Sequence, residues 1–177
     1  METKNTKKSV NVKSLCFTAL MAALIFVFTY TFKIPLGTGY THLGDAVIFL
    51  SIALLGSKKS SLAAGIGAAL GDLVGGYAQW IAPTFFIKLI MVLICGVFAE
   101  KVIKKKLPGY IIGAVLGGLF QIVAYTVVKV ILYDKAYAFT TLPELIIQTV
   151  VGIVAALVFI TIFNKTKVTE KSRKMVD

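Results

Sequence analysis

The sequence predicts an all-α integral membrane protein, a single domain over 1–177 built as a six-transmembrane-helix bundle with N- and C-termini cytoplasmic. Three observations carry that expectation. Hydrophobic residues make up 58% of the chain and charged residues only 15%, against roughly 45–50% and about 25% in ordinary soluble domains. The charges are bunched, so long uncharged runs alternate with short polar ones, the pattern of apolar spans joined by wet loops. Nearly all the basic residues also fall on one side once those runs are folded into six crossings.

Lys13 and Lys33 bracket nineteen uncharged residues, which at ~1.5 Å each cross the ~30 Å hydrocarbon layer. They give a first helix at 14–32. A cleaved signal peptide has an apolar core of only about 7–15 residues followed by a cleavage site, so this longer run, with further spans after it, reads as a retained anchor. Residues 33–44 contain Pro35, Gly37, Gly39 and Gly44 and are expected to form a loop. Segment 46–56 gives a short second helix, stopped by Gly56-Ser57-Lys58-Lys59. It is too short to cross alone, which leaves a five-helix or re-entrant arrangement as the alternative. A third helix rich in small residues covers 60–77. The fourth, 83–102, opens on Pro83, a favoured first-turn residue, and closes on the cluster Lys101, Lys104, Lys105 and Lys106. The fifth covers 109–132 and the sixth 143–163, which opens on Pro143. Residues 1–13 and 164–177 are left as cytoplasmic tails.

Fifteen of the nineteen Lys and Arg residues lie in the N-terminal tail, the loops after the second and fourth helices, and the C-terminal tail. Lys33 and Lys135 occupy loops on the other face, and Lys88 and Lys129 lie within spans. Six crossings put all four basic segments on the cytoplasmic side, as the positive-inside rule requires, whereas five would strand one basic group outside. The net charge of +11 therefore belongs to the lipid bilayer's edge, with no nucleic acid implied. Cys16 and Cys95 fall in apolar runs without ligand spacing and read as packing residues; no metal site is expected.

Charge inside a span costs at least about 2.5–3.5 kcal/mol, so each such residue is a functional candidate. In the six-helix topology Asp45, Asp72, Lys88, Lys129 and Glu144 all fall in the outer part of the membrane, with Gln79, Trp80 and Gln148 near the same level and Tyr40 and His42 in the first outer loop. The inner halves carry almost no polar side chains. One-sided clustering describes a pocket open to the outside rather than a conduit, because a proton path needs relay groups at several depths. Each group also has a plainer reading. Asp45 caps the second helix or touches a ligand; Glu144, after Pro143, reads as a cap; Lys129 can snorkel to the interface. Asp72 and Lys88 either pair with each other or anchor a ligand. His42 is the only histidine, which excludes a multi-histidine metal centre.

There is no Gly-x-x-x-x-Gly-Lys-Ser/Thr loop, no Gly-x-Ser-x-Gly elbow and no His-Glu-x-x-His helix, so neither ATP hydrolysis by that loop nor a familiar hydrolase is expected. A stand-alone secondary transporter, or a small membrane enzyme, is the alternative class.

The stretch Tyr40-Thr-His-Leu-Gly-Asp45-Ala-Val-Ile-Phe-Leu50, followed by Gly71-Asp72-Leu-Val-Gly-Gly-Tyr77 and Ala82-Pro83-Thr-Phe-Phe-Ile-Lys88-Leu-Ile-Met91, resembles the substrate-binding (S) components of energy-coupling factor (ECF) vitamin transporters. The resemblance runs over residues 14–163. It implies a capture subunit for a water-soluble vitamin or precursor taken from outside the bacterial plasma membrane. The loop at 34–44 would act as a lid, and a membrane-embedded T component and two cytoplasmic ATPases would supply ATP-driven energy, with no cofactor in this chain. Among family substrates the sequence looks closest to the pyridoxine or hydroxymethylpyrimidine type, with pantothenate and riboflavin open. Trp80, Tyr40 or Tyr77 would stack on a ring while Asp72, Lys88 and Gln148 bond its edge. Ala19-x-x-x-Ala23 in the first helix is similar to the small-residue motif by which S components dock on the T component. Gly67-x-x-x-Gly71 and Gly113-x-x-x-Gly117 share that spacing, which is common in helix packing generally.

Overall fold

The computed structural model describes residues 11–36, 39–102 and 106–176, with the side chains of 35, 36, 39, 40 and 106 outside that set. Helix α1 (Val12–Tyr30) begins where Asn11 turns extended and accepts a hydrogen bond from the Ser14 amide at 3.2 Å, satisfying one of the amides a helix start leaves orphaned. The segment expected to be a loop is instead an antiparallel hairpin. Strands β1 (Lys33–Leu36) and β2 (Gly39–His42) pair Lys33 with His42, Ile34 with Thr41 and Pro35 with Tyr40. A two-stranded ribbon has only edges, so a proline that cannot donate is tolerated there, and its helix-breaking residues do not prevent strand pairing.

Helix α2 (Gly44–Leu55) starts earlier than the expected 46–56, which brings Asp45 inside its first turn. Apart from Asp45 and Ser51 it is apolar all round, and it is buried on nearly every face, the signature of a helix at the centre of a bundle. It ends at Gly56, whose φ of 84° lies in the left-handed region and where a Cβ would meet the Arg173 guanidinium at 2.6 Å; glycine is the residue that fits both demands. Helix α3 (Ser57–Val74) follows at once, shifted from the expected 60–77. After a 3₁₀ turn at Ala78–Trp80, α4 (Ile81–Gly96) runs into one π-helical turn, Val97–Val102, so Pro83 is the third residue of its helix, not the first. Helix α5 covers Lys106–Leu132 and α7 covers Leu142–Lys165.

Two helices were not expected from the sequence. Helix α6 (Lys135–Thr140) is capped by Asp134, which accepts from the Tyr137 amide at 2.7 Å. Helix α8 (Val168–Val176) lies in the segment 164–177 expected as a tail; it buries Ser172 and Val176 against α2. Its highly charged composition hides the few side chains it packs.

Helix α2 packs against α1, α3, α7 and α8, while α1–α3, α3–α4, α4–α5 and α5–α7 contacts close the bundle around it. Small residues set the spacing. A Cβ on Gly67 would lie 2.4 Å from the Ala22 carbonyl oxygen, one on Gly113 2.4 Å from that of Cys95, and one on Gly117 2.7 Å from that of Met91. At Gly67, Gly113 and Gly117 the neighbouring backbone approaches too closely for any side chain, and a Cβ on Gly71 would meet the Thr29 side chain at 2.9 Å, so both glycine pairs are internal seams. Among the described residues four helical stretches are long and apolar enough to cross a bilayer, Val12–Tyr30, Ala78–Val102, Leu107–Leu132 and Lys135–Lys165, with Gly44–Leu55 apolar but shorter. Their outward faces carry exposed Leu, Val and Ile, as at Leu20, Val123 and Val154, where hydrocarbon rather than water is the matching solvent.

Candidate functional site

The start of α2, the end of α3, the start of α4, the end of α5 and the start of α7 meet beneath the hairpin. Asp45 and Lys88 are 0% and 1% exposed and form an ion pair. Of the alternatives the sequence left open for Lys88, the pair with Asp72 is not formed; its ion-pair partner is Asp45. The geometric cause is the earlier start of α2, which points the first-turn carboxylate inward at α4; a Cβ on Gly152 of α7 would lie 2.7 Å from that of Asp45, so the side chain is held from behind.

The pair is embedded in amides. Lys88 Nζ also donates to Gln121 Oε1. Gln121 Nε2 donates to Asp45 Oδ2 at 2.9 Å and to Thr149 Oγ1 at 2.8 Å, and Gln148 Nε2 donates to Asp45 Oδ2 at 3.0 Å. Thr149 in turn donates to the Leu145 carbonyl at 2.8 Å. Four helices are thus tied by one cluster, and a buried charge pair persists only when its remaining donors and acceptors are satisfied in this way.

Above the cluster lies a cavity of about 210 Å³. Of the expected site residues, His42, Asp72, Tyr77, Trp80, Lys88, Lys129 and Gln148 line it. Asp45 stands behind it as the partner of Lys88 and Gln148. Gln79 is exposed and outside the lining; it donates to the Tyr133 hydroxyl at 3.2 Å. Tyr40 sits in β2, and its side chain is outside the described residues, as is the hairpin turn at 37–38. Lys129 donates to Thr141 Oγ1 at 2.7 Å, so it is held within the site rather than free at the interface. Glu144, in the first turn of α7, lines the cavity as well.

One wall is aromatic. The Trp80 ring lies 5.9 Å from that of Tyr125 and 6.2 Å from that of Tyr133, and Tyr133 lies 4.7 Å from Tyr137. Trp80 Nε1 donates to the Tyr133 hydroxyl at 3.2 Å, which fixes the indole's orientation. The opposite wall is polar and unsaturated. Thr29 Oγ1, His42 Nδ1 and Asp72 Oδ2 are buried, line the cavity and have no hydrogen-bond partner among the described residues. A buried polar atom without a partner costs about 1–3 kcal/mol, so three around one space mark a place where a ligand or water completes the bonding. Burial pushes the His42 imidazole down to about 4; the Asp45 carboxylate opposes the shift, and Lys88 and Lys33 add to it. The ring is therefore neutral near pH 7. Lys33 stands over the Tyr30 and Tyr77 rings, 5.3 Å and 5.4 Å from their centroids, and so ties β1 to the end of α1 and to the turn that follows α3.

Sequence reasoning missed Thr29, Thr84, Gln121, Tyr125, Tyr133, Tyr137 and Thr149. A signal for several was present. Gln121, Tyr125 and Lys129 recur at i, i+4 and i+8 along α5, and Thr84 and Lys88 at i and i+4 along α4, a polar stripe on one face of an otherwise apolar helix. Nothing comparable marks Thr29, one of three hydroxyl side chains of Ser and Thr spread along the 19-residue helix α1. Among the described residues no group of His, Cys, Asp and Glu is arranged to hold a metal ion.

A helical membrane bundle with a small cavity under a hairpin, one wall aromatic and one unsaturated, is the form of a solute-capture subunit. Comparisons with known proteins give the family. The model of the ECF-type riboflavin transporter S component matches residues 9–165, and the chain belongs to this family of ECF transporter S components. It is a multi-pass plasma-membrane transport subunit, not an enzyme. The chain is 29% identical over 167 residues to the thiamine precursor transporter HmpT of Lactococcus lactis subsp. cremoris, covering 93% of this chain and 95% of that one. It is 33% identical over 121 residues to "Uncharacterized protein in gap 3'region" of Pyrococcus woesei, covering 68% of this chain and 80% of the relative. The crystal structure of an S component for biotin from an ECF-type ABC transporter superposes with a TM-score of 0.67 at 20% identity, covering 94% of this chain and 95% of the other; at that identity the likeness concerns the fold.

Proposed function

We propose that this chain is the high-affinity capture subunit of an ECF-type importer for a small heteroaromatic vitamin precursor, with hydroxymethylpyrimidine favoured and pyridoxine next. The observation that carries the reading is the group of unpartnered atoms, Thr29 Oγ1, His42 Nδ1 and Asp72 Oδ2, facing an aromatic wall across about 210 Å³. At interior packing density that space holds on the order of ten to fifteen non-hydrogen atoms. An aminopyrimidine or substituted pyridine fits it, its ring against Trp80 and Tyr125 and its amino or hydroxyl donors on Asp72. A flavin is roughly twice too large, and pantothenate has no ring for the aromatic wall. The relative named as a thiamine precursor transporter supports the same class.

In this reading the six crossings place both termini in the cytoplasm and the hairpin outside, as the lid. A T component and two cytoplasmic ATPases supply the energy, and Ala19 and Ala23, both exposed on α1, form the docking stripe. Asp72 and His42 contact ligand, whereas Lys88 presents the rim of a structural cluster. The chain's single tryptophan lies in the cavity wall, so its fluorescence reports occupancy. Titration of the purified protein with hydroxymethylpyrimidine should give saturable quenching that disappears in Trp80→Phe. Saturation by riboflavin with no response to the pyrimidine or to pyridoxine would reject the substrate assignment.

A further inference from the structure

A second cavity, of about 900 Å³, lies at the opposite end of the bundle, between the π turn that closes α4, the start of α5, and the α7–α8 junction. Its floor is apolar, with Ile52, Leu107 and Ile160. Its rim is charged and unbalanced. Glu100 is paired with Arg173 at 2.9 Å and Glu170 with Lys174 at 2.7 Å, which neutralises both carboxylates. Lys101 and Lys167 also line the groove and are exposed, and neither side chain makes an ion pair or hydrogen bond among the described residues. The Thr169 hydroxyl in the same wall is buried and lacks a hydrogen-bond partner among the described residues.

The wall that carries these groups is fixed. Arg173 donates to the Ile52 and Ala53 carbonyls at 3.0 Å and 2.9 Å, and Ser172 to that of Leu54 at 3.1 Å. Glu100 receives the Ser57 amide and hydroxyl at 3.0 Å and 2.7 Å. Lys167 is held in the turn between α7 and α8 with a φ of 58°, the one non-glycine residue in the left-handed region among the described residues. Glycine would be the less strained choice after a helix, so the local backbone does not explain a lysine there. An uncompensated pair of cations above an apolar trough, where helix ends and basic residues gather, matches the chemistry of a phospholipid with an anionic headgroup.

We propose that this groove binds an anionic phospholipid, with its phosphate-bearing headgroup at Lys101, Lys167 and the Thr169 hydroxyl and an acyl chain that enters past the exposed Leu107 towards the buried floor at Ile52 and Ile160. The surplus charge sets the selectivity, because the floor would accept the chain of any lipid. Two lysines near a surface favour an anionic over a zwitterionic headgroup by roughly thirtyfold.

The test exchanges the full-length purified protein into micelles containing equal phosphatidylglycerol and phosphatidylcholine and counts the retained lipid by native mass spectrometry. One phosphatidylglycerol should be retained with that preference, and Lys101→Gln combined with Lys167→Gly should reduce the preference to a few-fold or less. Lys167→Gly relieves the backbone, so an unchanged or raised melting temperature would separate lost charge from lost fold. Equal retention of the two lipids, or an unaltered preference in the double variant, overturns the proposal. A third arm adds inorganic phosphate against sodium chloride of matched ionic strength: displacement of the lipid by phosphate alone would make a free phosphate the occupant and overturn the lipid assignment, and retention supports it.

Discussion

Two polar clusters sit a few side chains apart beneath the hairpin, and they differ in one respect. In the cluster of Asp45, Lys88, Gln121, Gln148 and Thr149 every charged and amide group meets a partner. In the neighbouring wall Thr29, His42 and Asp72 each leave an atom unpaired among the described residues. Both occupy the end of the membrane domain where polarity is costly. The saturated cluster carries its own compensation and holds four helices in register. The unsaturated wall is compensated only when something enters the cavity, and that separates a residue of the fold from a residue of the function more sharply than charge or depth does.

The largest expected effect breaks the saturated side. Lys88→Met should lower stability by about 3–5 kcal/mol, because it leaves the Asp45 carboxylate buried without its cation. Thermal unfolding in detergent without ligand measures it. Combining it with Asp45→Leu should recover much of the loss, since replacing a whole buried pair by apolar residues is often neutral; an undiminished loss in the double variant would mean that the amides, not the charges, dominate the cluster. The next effect falls on the other side. Asp72→Asn should weaken ligand binding by roughly tenfold to a hundredfold, the scale of a hydrogen bond to a charged group, while leaving the melting temperature of the ligand-free protein unchanged or higher. Calorimetric titration decides it, and unaltered affinity would remove Asp72 from the site. Replacing Ala19 and Ala23 by Leu should change neither quantity yet stop uptake in liposomes that contain the complete transporter; normal uptake would reject the docking stripe.

Much of this contrast was legible in the sequence, but not its sense. Apolar runs and breakers locate the helices because hydrocarbon tolerates little else. The level of Asp45, Asp72, Lys88 and Gln148 follows from counting residues along each run. Which of them pair does not, because a shift of two residues at the start of α2 turns Asp45 from a helix cap into the partner of Lys88. Gln121 escaped notice because an uncharged amide inside an apolar run carries no alarm, although its spacing from Tyr125 and Lys129 marks a face. The hairpin and α8 were missed for a related reason. Pro, Gly and clustered charge read as irregular chain when the few contacts that order them, such as Arg173 on the end of α2, lie more than a hundred residues away in sequence.

The smallest expected effect concerns the proton balance of the unsaturated wall. With its imidazole pushed down to about 4 by burial, His42 stays neutral through the physiological range. Affinity for an uncharged ligand should therefore be flat between about pH 5.5 and 8 and fall only as the pH approaches that value. The stability consequence has a definite sign. Between the unfolded value of 6.5 and about 4, the unfolded chain takes up a proton that the folded chain refuses, so stability declines as the pH falls through that window and is indifferent to His42 above it. His42→Gln keeps a polar side chain and removes the proton site, so this part of the acid slope should vanish while carboxylate-driven unfolding at lower pH remains. Binding that rises or falls steeply between pH 6 and 7 in the parent protein, and is flat in His42→Gln, would show instead that the imidazole titrates near its ordinary value, and that the wall of the cavity is wetter than its unpaired atoms indicate.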